Sequence, residues 1–206
     1  MLLICVGLTG CAGRSAAADE RELRATLLSV YAAVERGDEA GYRDLVDIPA
    51  TDVYSNALTT TMFESIRLHQ AVERHVASAA NRSTTKSASL AAVDYRTNAR
   101  AMRDAAAGWT FTAQGNRATI DQLASRPGAP MFRRARGEWR LVPTPMDAPP
   151  GSMYVALMVQ TERRLAEALA TARKAVEAGR ATSIEDVNGI LRNLLADVPT
   201  TRPASP

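Results

Sequence analysis

Over most of its length the chain repeats apolar side chains at intervals of three and four residues, which is the spacing of amphipathic helices. Gly37 and Pro49 interrupt this pattern and predict helix ends, and Asp38 is placed to cap the helix between them. The polar run 81–87 predicts a loop. Four helices are predicted before residue 108: Glu20 to Gly37, Asp38 to near Pro49, Thr51 or Asp52 to Val76, and a weaker one from Leu90 to Gly108.

The pattern changes in residues 108–143, where apolar and polar side chains alternate as they do in a half-buried strand. The first alternating stretch reverses at Gly115-Asn116, which predicts a β-hairpin. A second hairpin is predicted over 131–142, with its turn at Gly137 and a tryptophan, Trp139, in its last strand. We expect Trp139 to be a core residue.

Helical spacing returns after the sheet, from Met153 to a stop at Gly179. Thr182 and Glu185 then have the spacing of a capping box, which predicts a second helix and therefore a helical hairpin. Its apolar stripe needs cover, and we expect it to pack on the open face of the sheet, with a second copy of the chain as the alternative. The sequence thus predicts an α+β protein, with helices on a small curved antiparallel sheet and one domain over residues 20–198.

Composition narrows the functional classes. The chain has 206 residues, of which 46% are hydrophobic and 23% charged, as in ordinary globular proteins. Its net charge is +3, and the arginines are scattered among acidic residues instead of being clustered, which argues against nucleic-acid binding. Both cysteines, Cys5 and Cys11, lie at the start, so the body of the chain has no thiol for a disulfide or a zinc site.

The amino terminus is apolar and ends in Leu8-Thr9-Gly10-Cys11. This pattern resembles a bacterial lipoprotein signal, in which a small residue precedes the cysteine that receives the diacylglycerol. The resemblance implies a signal peptide over 1–10, Cys11 as a lipidated first residue bearing acyl chains such as palmitate, and a tether over 11–19. It also implies a membrane-anchored protein of the bacterial cell envelope that faces the periplasm. The alternative is a chance apolar leader on a secreted or cytosolic protein.

Three segments carry a likeness to a known fold: Tyr31 to Asp38 together with Tyr42, then Ala118 to Ile120, and finally Phe132 to Val142. Their order of helix, Gly-Asp step, short helix and antiparallel strands with a Gly and a Trp resembles the NTF2-like, or cystatin-like, superfamily. The resemblance implies that residues 20–147 form a cone in which a curved sheet wraps around the helices, followed by the helical hairpin of 151–198. The remaining residues, 199–206, are expected to be a disordered tail.

Candidate site residues are few. His69 lies on the apolar face of the third helix, where a hydrogen-bonded core histidine and a general base are both possible. Asp94 and Asp121 are the carboxylates nearest the junction of helices and sheet, and each could equally be a helix cap or a solvated charge. Aromatic residues on the predicted strands, Trp109, Phe111 and Trp139, could line a pocket for a small apolar ligand or simply fill the core. No motif for a metal or a cofactor is present.

Two functional hypotheses follow from these residues. In the first, the protein is a non-catalytic envelope lipoprotein that binds an envelope protein or a small apolar ligand, with a homodimer possible. In the second, it is a small hydrolase or isomerase that uses His69 with Asp94 or Asp121 as an acid-base pair in the family's cavity. The two hypotheses differ in whether His69 lies within hydrogen-bonding distance of a carboxylate.

Overall fold

The computed structural model describes residues 15–76, 89–125, 129–143 and 152–196, and it confirms the α+β class. Two hairpins form one antiparallel sheet with the strand order β1-β2-β3-β4, which is open and not closed into a barrel. The elements in chain order are α1 (Ala16–Arg36), α2 (Glu39–Leu45), α3 (Val53–His75), α4 (Tyr95–Ala106), β1 (Phe111–Gln114), β2 (Arg117–Ile120), a 3₁₀ turn (Asp121–Leu123), β3 (Met131–Ala135), β4 (Glu138–Val142), α5 (Met153–Glu177) and α6 (Ile184–Leu195).

Helix α1 covers the inner face of the sheet. Strand alternation directs Ala118, Phe132 and Trp139 to this face, where they are buried against Leu23 and Leu27 of α1. Trp139 is only 2% exposed, so the prediction of a core tryptophan is confirmed. An isolated parallel bridge between Val46, just after α2, and Leu141 ties the second helix to the last strand.

Helix α1 begins earlier than the sequence pattern predicted. Ser15 caps it by accepting a hydrogen bond from the Ala18 N–H at 3.3 Å, and Asp19 lies in its first turn. The last four residues of the predicted tether over 11–19 are therefore helical. The alanines at this start, Ala16 and Ala17, give no amphipathic signal, but alanine is the best helix former. The predicted signal peptide and Cys11 lie outside the described residues, as does the tail over 199–206.

Helices α3 and α5 pack side by side in a parallel pair. Val53 and Val159 line one cleft, the Thr61 hydroxyl donates to the Glu162 carbonyl at 2.9 Å, and Val72 shares a core cluster with Val176. Residue numbers thus rise together along both helices. Small side chains allow the two backbones to approach closely; those that line a shared cleft or cluster, or bond to the facing helix, are Ala57, Thr61, Ala71, Ala166, Ala168, Ala172 and Ala175.

The expectation that the helical hairpin of α5 and α6 covers the sheet is wrong. The apolar stripe of the hairpin packs on α3, and the buried cluster there includes Leu68, Leu169, Val187 and Leu191. Two physical reasons account for this. The apolar face of the sheet is already occupied by α1, and α3 would otherwise keep a second apolar face in water.

Two predicted helix starts shift by a few residues. The capping box of α6 is formed by Ser183 and Asp186, one position after the predicted Thr182 and Glu185. Helix α4 begins at Tyr95 with Asp94 as its cap, so Leu90 precedes the helix. In both places neighbouring residues compete for the cap, and the choice depends on which side chain reaches the free N–H groups.

Candidate functional site

His69 is half-buried on α3 and bonds to the backbone. Its Nε2 lies 3.2 Å from the carbonyl oxygen of Ala92, in the segment that precedes α4. Because a carbonyl can only accept, Nε2 must carry the proton in this contact. The interpretation of His69 as a hydrogen-bonded residue is therefore confirmed. Its role in this arrangement is to hold the 92–94 segment against α3.

Asp94 is the amino-terminal cap of α4. Its carboxylate accepts hydrogen bonds from the Thr97 hydroxyl at 2.6 Å and from the backbone N–H groups of Arg96 and Thr97. Partial burial raises the pKa of Asp94, but the Thr97 hydrogen bonds, with the nearby His69 and Arg96, outweigh burial and lower that pKa overall. The carboxylate is thus held in its charged form by the helix start.

The two candidate acid-base pairs are not assembled among the described residues. Asp94 lies near enough to His69 for an electrostatic effect, yet no hydrogen bond or ion pair joins their side chains. Asp121 is exposed on the 3₁₀ turn after β2, and its backbone N–H donates to Thr110 beside β1. His69 and Asp94 are brought together by the fold, and Asp121 belongs to a different part of it.

The aromatic residues of the sheet fill the core beneath α1. Phe111 and Phe132 meet edge to face with their ring centroids 5.9 Å apart, and Trp109 packs on the same cluster. The Arg134 guanidinium lies over the Trp139 ring at 4.3 Å and pairs with Asp19 of α1. The interpretation of Trp139 as core is confirmed, and these aromatics line none of the clefts described next.

An open apolar cleft lies where α3 and α5 begin, and we call it the amino-terminal cleft. It consists of two adjoining depressions of about 490 and 540 Å³ that share Val53, Arg163 and Glu167. The residues that line it are Arg43, Ala50, Val53, Asn56, Ala57, Thr60, Val155, Ala156, Val159, Gln160, Arg163, Ala166, Arg164 and Glu167.

Large apolar side chains are exposed at this end of the helix pair. Val53, which lines both depressions, is 47% exposed, and on the first turn of α5 Met153 is 88% and Tyr154 55% exposed, although neither of these two lines the cleft. Since α3 and α5 run parallel, the first turns of both helices lie at the same end of the pair. Exposed apolar side chains that gather around a concave surface are typical of a contact site.

A cluster of tyrosines adjoins the first turns of α3 and α5. Partial burial raises the pKa of Tyr54, and the neighbouring Glu162, Tyr154 and Tyr95 raise it further. The pKa of Tyr95 is likewise raised by burial and by Glu162. One carboxylate oxygen of Glu162, Oε2, is buried without a hydrogen-bond partner in the described part of the chain. Tyr54, Tyr95, Tyr154 and Glu162 do not line the amino-terminal cleft, so this cluster is a separate feature of the same end of the helix pair.

Sequence reasoning missed this cleft. Its two walls come from helices that are about a hundred residues apart, and their parallel pairing leaves no local pattern. A signal was nevertheless present at Val53, an apolar residue on a first helical turn that the predicted stripe of α3 did not include. Met153, by contrast, was expected on the buried stripe of α5, and this expectation is wrong because Met153 is 88% exposed at the start of the helix.

The described residues contain no group of three or more His, Cys, Asp and Glu side chains placed to hold a metal ion. None of their helices has both the length and the apolar character needed to span a bilayer. Comparisons with protein-family models, with curated proteins and with solved structures found no match to this chain.

Proposed function

We propose that the protein is a non-catalytic lipoprotein of the bacterial cell envelope that is anchored through Cys11 and binds an apolar segment of another envelope protein in the amino-terminal cleft. The observation that carries the binding role is the open concave surface lined by Val53, Val155 and Val159, with Val53 47% exposed. Leaving these side chains in water has a cost, which a bound partner would remove at roughly 25 cal/mol per Å² of apolar surface.

The shape of the cleft favours a protein segment over a small ligand. Pockets for small molecules enclose most of the ligand surface, whereas this cleft is open to solvent along its length. An apolar floor such as Val53, Ala57 and Val159, with Arg163 and Glu167 at the rim, suits a helix that lays its apolar face into a groove.

The enzyme hypothesis receives no support from the geometry. An acid-base pair needs a hydrogen bond, direct or through a single water, and a substrate cavity beside it. His69 bonds to a carbonyl instead, and none of the depressions that form the amino-terminal cleft is lined by His69, Asp94 or Asp121. The NTF2-like relationship stays a prediction, supported by the packing of α1 against an antiparallel sheet.

The anchor rests on the sequence Leu8-Thr9-Gly10-Cys11. Acyl chains contribute roughly 0.8 kcal/mol per buried CH₂, so two or more of them hold a protein firmly on a membrane. Mass spectrometry of the amino-terminal peptide from membrane-extracted protein should show a diacylglyceryl-modified Cys11, and Cys11→Ser should abolish the modification. An unmodified peptide that begins before residue 11 would refute the anchor.

The cleft can be tested by photo-crosslinking in intact cells. A photoreactive amino acid at Gln160, an exposed residue that lines the cleft, should give one discrete adduct, whereas the same probe at the exposed Lys174, far along α5, should not. Val53→Asp should abolish the Gln160 adduct, because a charge in the floor opposes apolar contact. Equal adducts from both positions, or none from Gln160, would overturn the proposal. An adduct of twice the chain mass would assign the cleft to a second copy instead.

A further inference from the structure

The outer face of the sheet carries a row of arginines that the proposed function does not use. Strand alternation turns Phe132 and Trp139 inward. It leaves the residues that follow them, Arg133 and Arg140, facing away from α1. In the strand register Arg117 is opposite Arg133, and Arg133 is opposite Arg140. Three arginines on three neighbouring strands thus form one line, which we call the arginine row.

Such a row is unfavourable unless something neutralises it. Like charges directly opposite each other on neighbouring strands are destabilising. Neighbouring strands are about 4.8 Å apart, so the row spans roughly 10 Å. In the part of the chain that the structure describes, Arg133 pairs with Asp47 and Glu138 lies two residues from Arg140 on the same strand, whereas Arg117 forms no ion pair.

Donors in the row are left open. Arg117 is exposed and forms no ion pair or side-chain hydrogen bond within the described part of the chain. The Nε of Arg140 is buried there without a hydrogen-bond partner. A guanidinium presents its N–H groups in a planar fork that matches the oxygens of a phosphate group. Arg117 therefore offers an exposed forked donor to an anionic surface, and Arg133 and Arg140 add positive charge beside it.

The sheet that carries the row also lies near the start of the described chain, with α1 on its inner face and the row on its outer face. Arg134 pairs with Asp19 in the first turn of α1, and its backbone N–H donates to Asn116 beside Arg117. Cys11 and the first helical residue, Ala16, are five positions apart, which corresponds to at most about 17 Å in a fully extended chain. A lipid on Cys11 would keep this end of the sheet close to the membrane.

We propose that the arginine row binds the phosphate groups of anionic phospholipid headgroups, so that the outer face of the sheet lies on the membrane surface. For the location at a membrane this inference rests on the proposed lipid anchor, whereas the orientation follows from the face that carries the row. Its chemistry does not, because the row should bind anionic lipid even in a chain that carries no acyl group. Juxtamembrane arginines contribute about 1 kcal/mol each, which is roughly a 5-fold gain in partitioning per residue.

The test uses the mature chain from residue 11 onward with Cys11→Ser, which contains every described residue and has no lipid. Its partitioning is measured by co-sedimentation with vesicles of phosphatidylglycerol in phosphatidylcholine and with vesicles of phosphatidylcholine alone. We expect binding only to the anionic vesicles, with a decrease as salt is added. The double variant Arg117→Gln/Arg140→Gln should bind about 30-fold more weakly.

The matched control is Arg180→Gln/Arg192→Gln, which removes the same charge from exposed positions on the other side of the molecule. It should keep most of the binding. An equal loss in both double variants would mean unspecific attraction and overturn the proposal. Arg117→Gln alone, at an exposed position, reports on the row if the double variant fails to fold. Its binding to anionic vesicles should weaken about 5-fold, and unchanged binding would count against the row.

Two further arms separate the source of the phosphate. Pyrophosphate or a single-stranded oligonucleotide that binds the chain through Arg117 and Arg140, while anionic vesicles do not, would reassign the row to that ligand and overturn the membrane proposal. The vesicle result is independent of acylation, so failure of the Cys11 anchor and failure of the arginine row can be told apart.

Discussion

Single residues on the sheet show how charge and aromatic surface are combined. Arg134 points inward, yet its guanidinium is stacked on Trp139 and paired with Asp19, so both its apolar plane and its charge are used. The neighbouring residue, Arg133, points outward and belongs to the arginine row. Adjacent arginines on one strand thus serve opposite faces of the sheet.

Truncating Trp139 should strongly destabilise the protein. Trp139 is almost fully buried among the residues that join α1 to the sheet, and Trp139→Ala should lower the free energy of unfolding by roughly 3 to 5 kcal/mol. Urea unfolding followed by circular dichroism measures this loss. Trp109→Ala is the control. Because Trp109 is only half-buried, its replacement should lower the free energy of unfolding clearly less. An unchanged midpoint for Trp139→Ala would refute the assigned core.

Residue-scale prediction succeeded where the cause was local. Alternation placed Trp139 on the inner face, and helical spacing placed His69 on the apolar face of α3. The partner of His69 could not be predicted, because the Ala92 carbonyl comes from a separate segment that folds back on α3. From the sequence, Asp94 could be interpreted as a helix cap or as a solvated charge. Its contacts with Thr97 were needed to identify it as the cap.

At the scale of elements, the end of α1 is fixed by a close approach to α3. Gly37 ends the helix with a left-handed φ of 73°, and a Cβ there would lie 2.9 Å from Gln70 Nε2 and 3.0 Å from Ile66 Cγ2. Only glycine combines this backbone conformation with so little space. The same residue therefore ends one helix and sets its distance to another.

Replacing Gly37 should destabilise the protein more than replacing a glycine that has free space around it. Gly37→Ala imposes a left-handed backbone strain of about 1–2 kcal/mol, and it also places a methyl group against Ile66. Gly179→Ala is the matched control, since its φ is 67° but nothing lies within 4 Å of the added Cβ. We expect Gly37→Ala to lower the melting temperature more than Gly179→Ala does. Equal shifts would mean that α1 and α3 do not meet at Gly37.

The cap of α4 should make stability depend on pH in a defined direction. The pKa of Asp94 is lower in the folded protein than its ordinary value, so its contribution is present at neutral pH and is lost as the pH falls through the folded pKa. Asp94→Ala should cost about 1 kcal/mol at neutral pH and little in acid, and Asp94→Asn, which keeps an acceptor, should cost less. Urea unfolding at both pH values checks this, and an equal cost at both would exclude the charged cap.

Elements could be predicted more reliably than their partners. The two hairpins follow from alternation and turn residues, which are properties of neighbouring positions. The partner of α5 depends instead on which apolar faces remain after α1 has taken the sheet, and that is decided by residues far apart in sequence. The amino-terminal cleft was missed for the same reason.

At the scale of the whole molecule, three buried clusters follow one another. The first joins α1 to the sheet, the second joins α1, α3 and α4 around Phe63 and Ile66, and the third joins α3 to α5 and α6. Helix α3 contributes to two of them, with Phe63 in one and Leu68 in the next. Loss of the hairpin should therefore destabilise α3 and, through α3, the sheet.

Ending the chain after Pro150 tests whether the hairpin belongs to the same folding unit. The truncation would expose Leu68, Val72 and Val76 on α3, and each large apolar side chain returned to water costs about 1.5–3 kcal/mol. We expect a fragment that aggregates or binds a hydrophobic dye and lacks a cooperative melting transition, since total stabilities are only about 5–15 kcal/mol. A chain ending at Ala196 keeps every described hairpin contact and is the control. A soluble monomer ending at Pro150 that melts near the full-length temperature would make the hairpin an independent module.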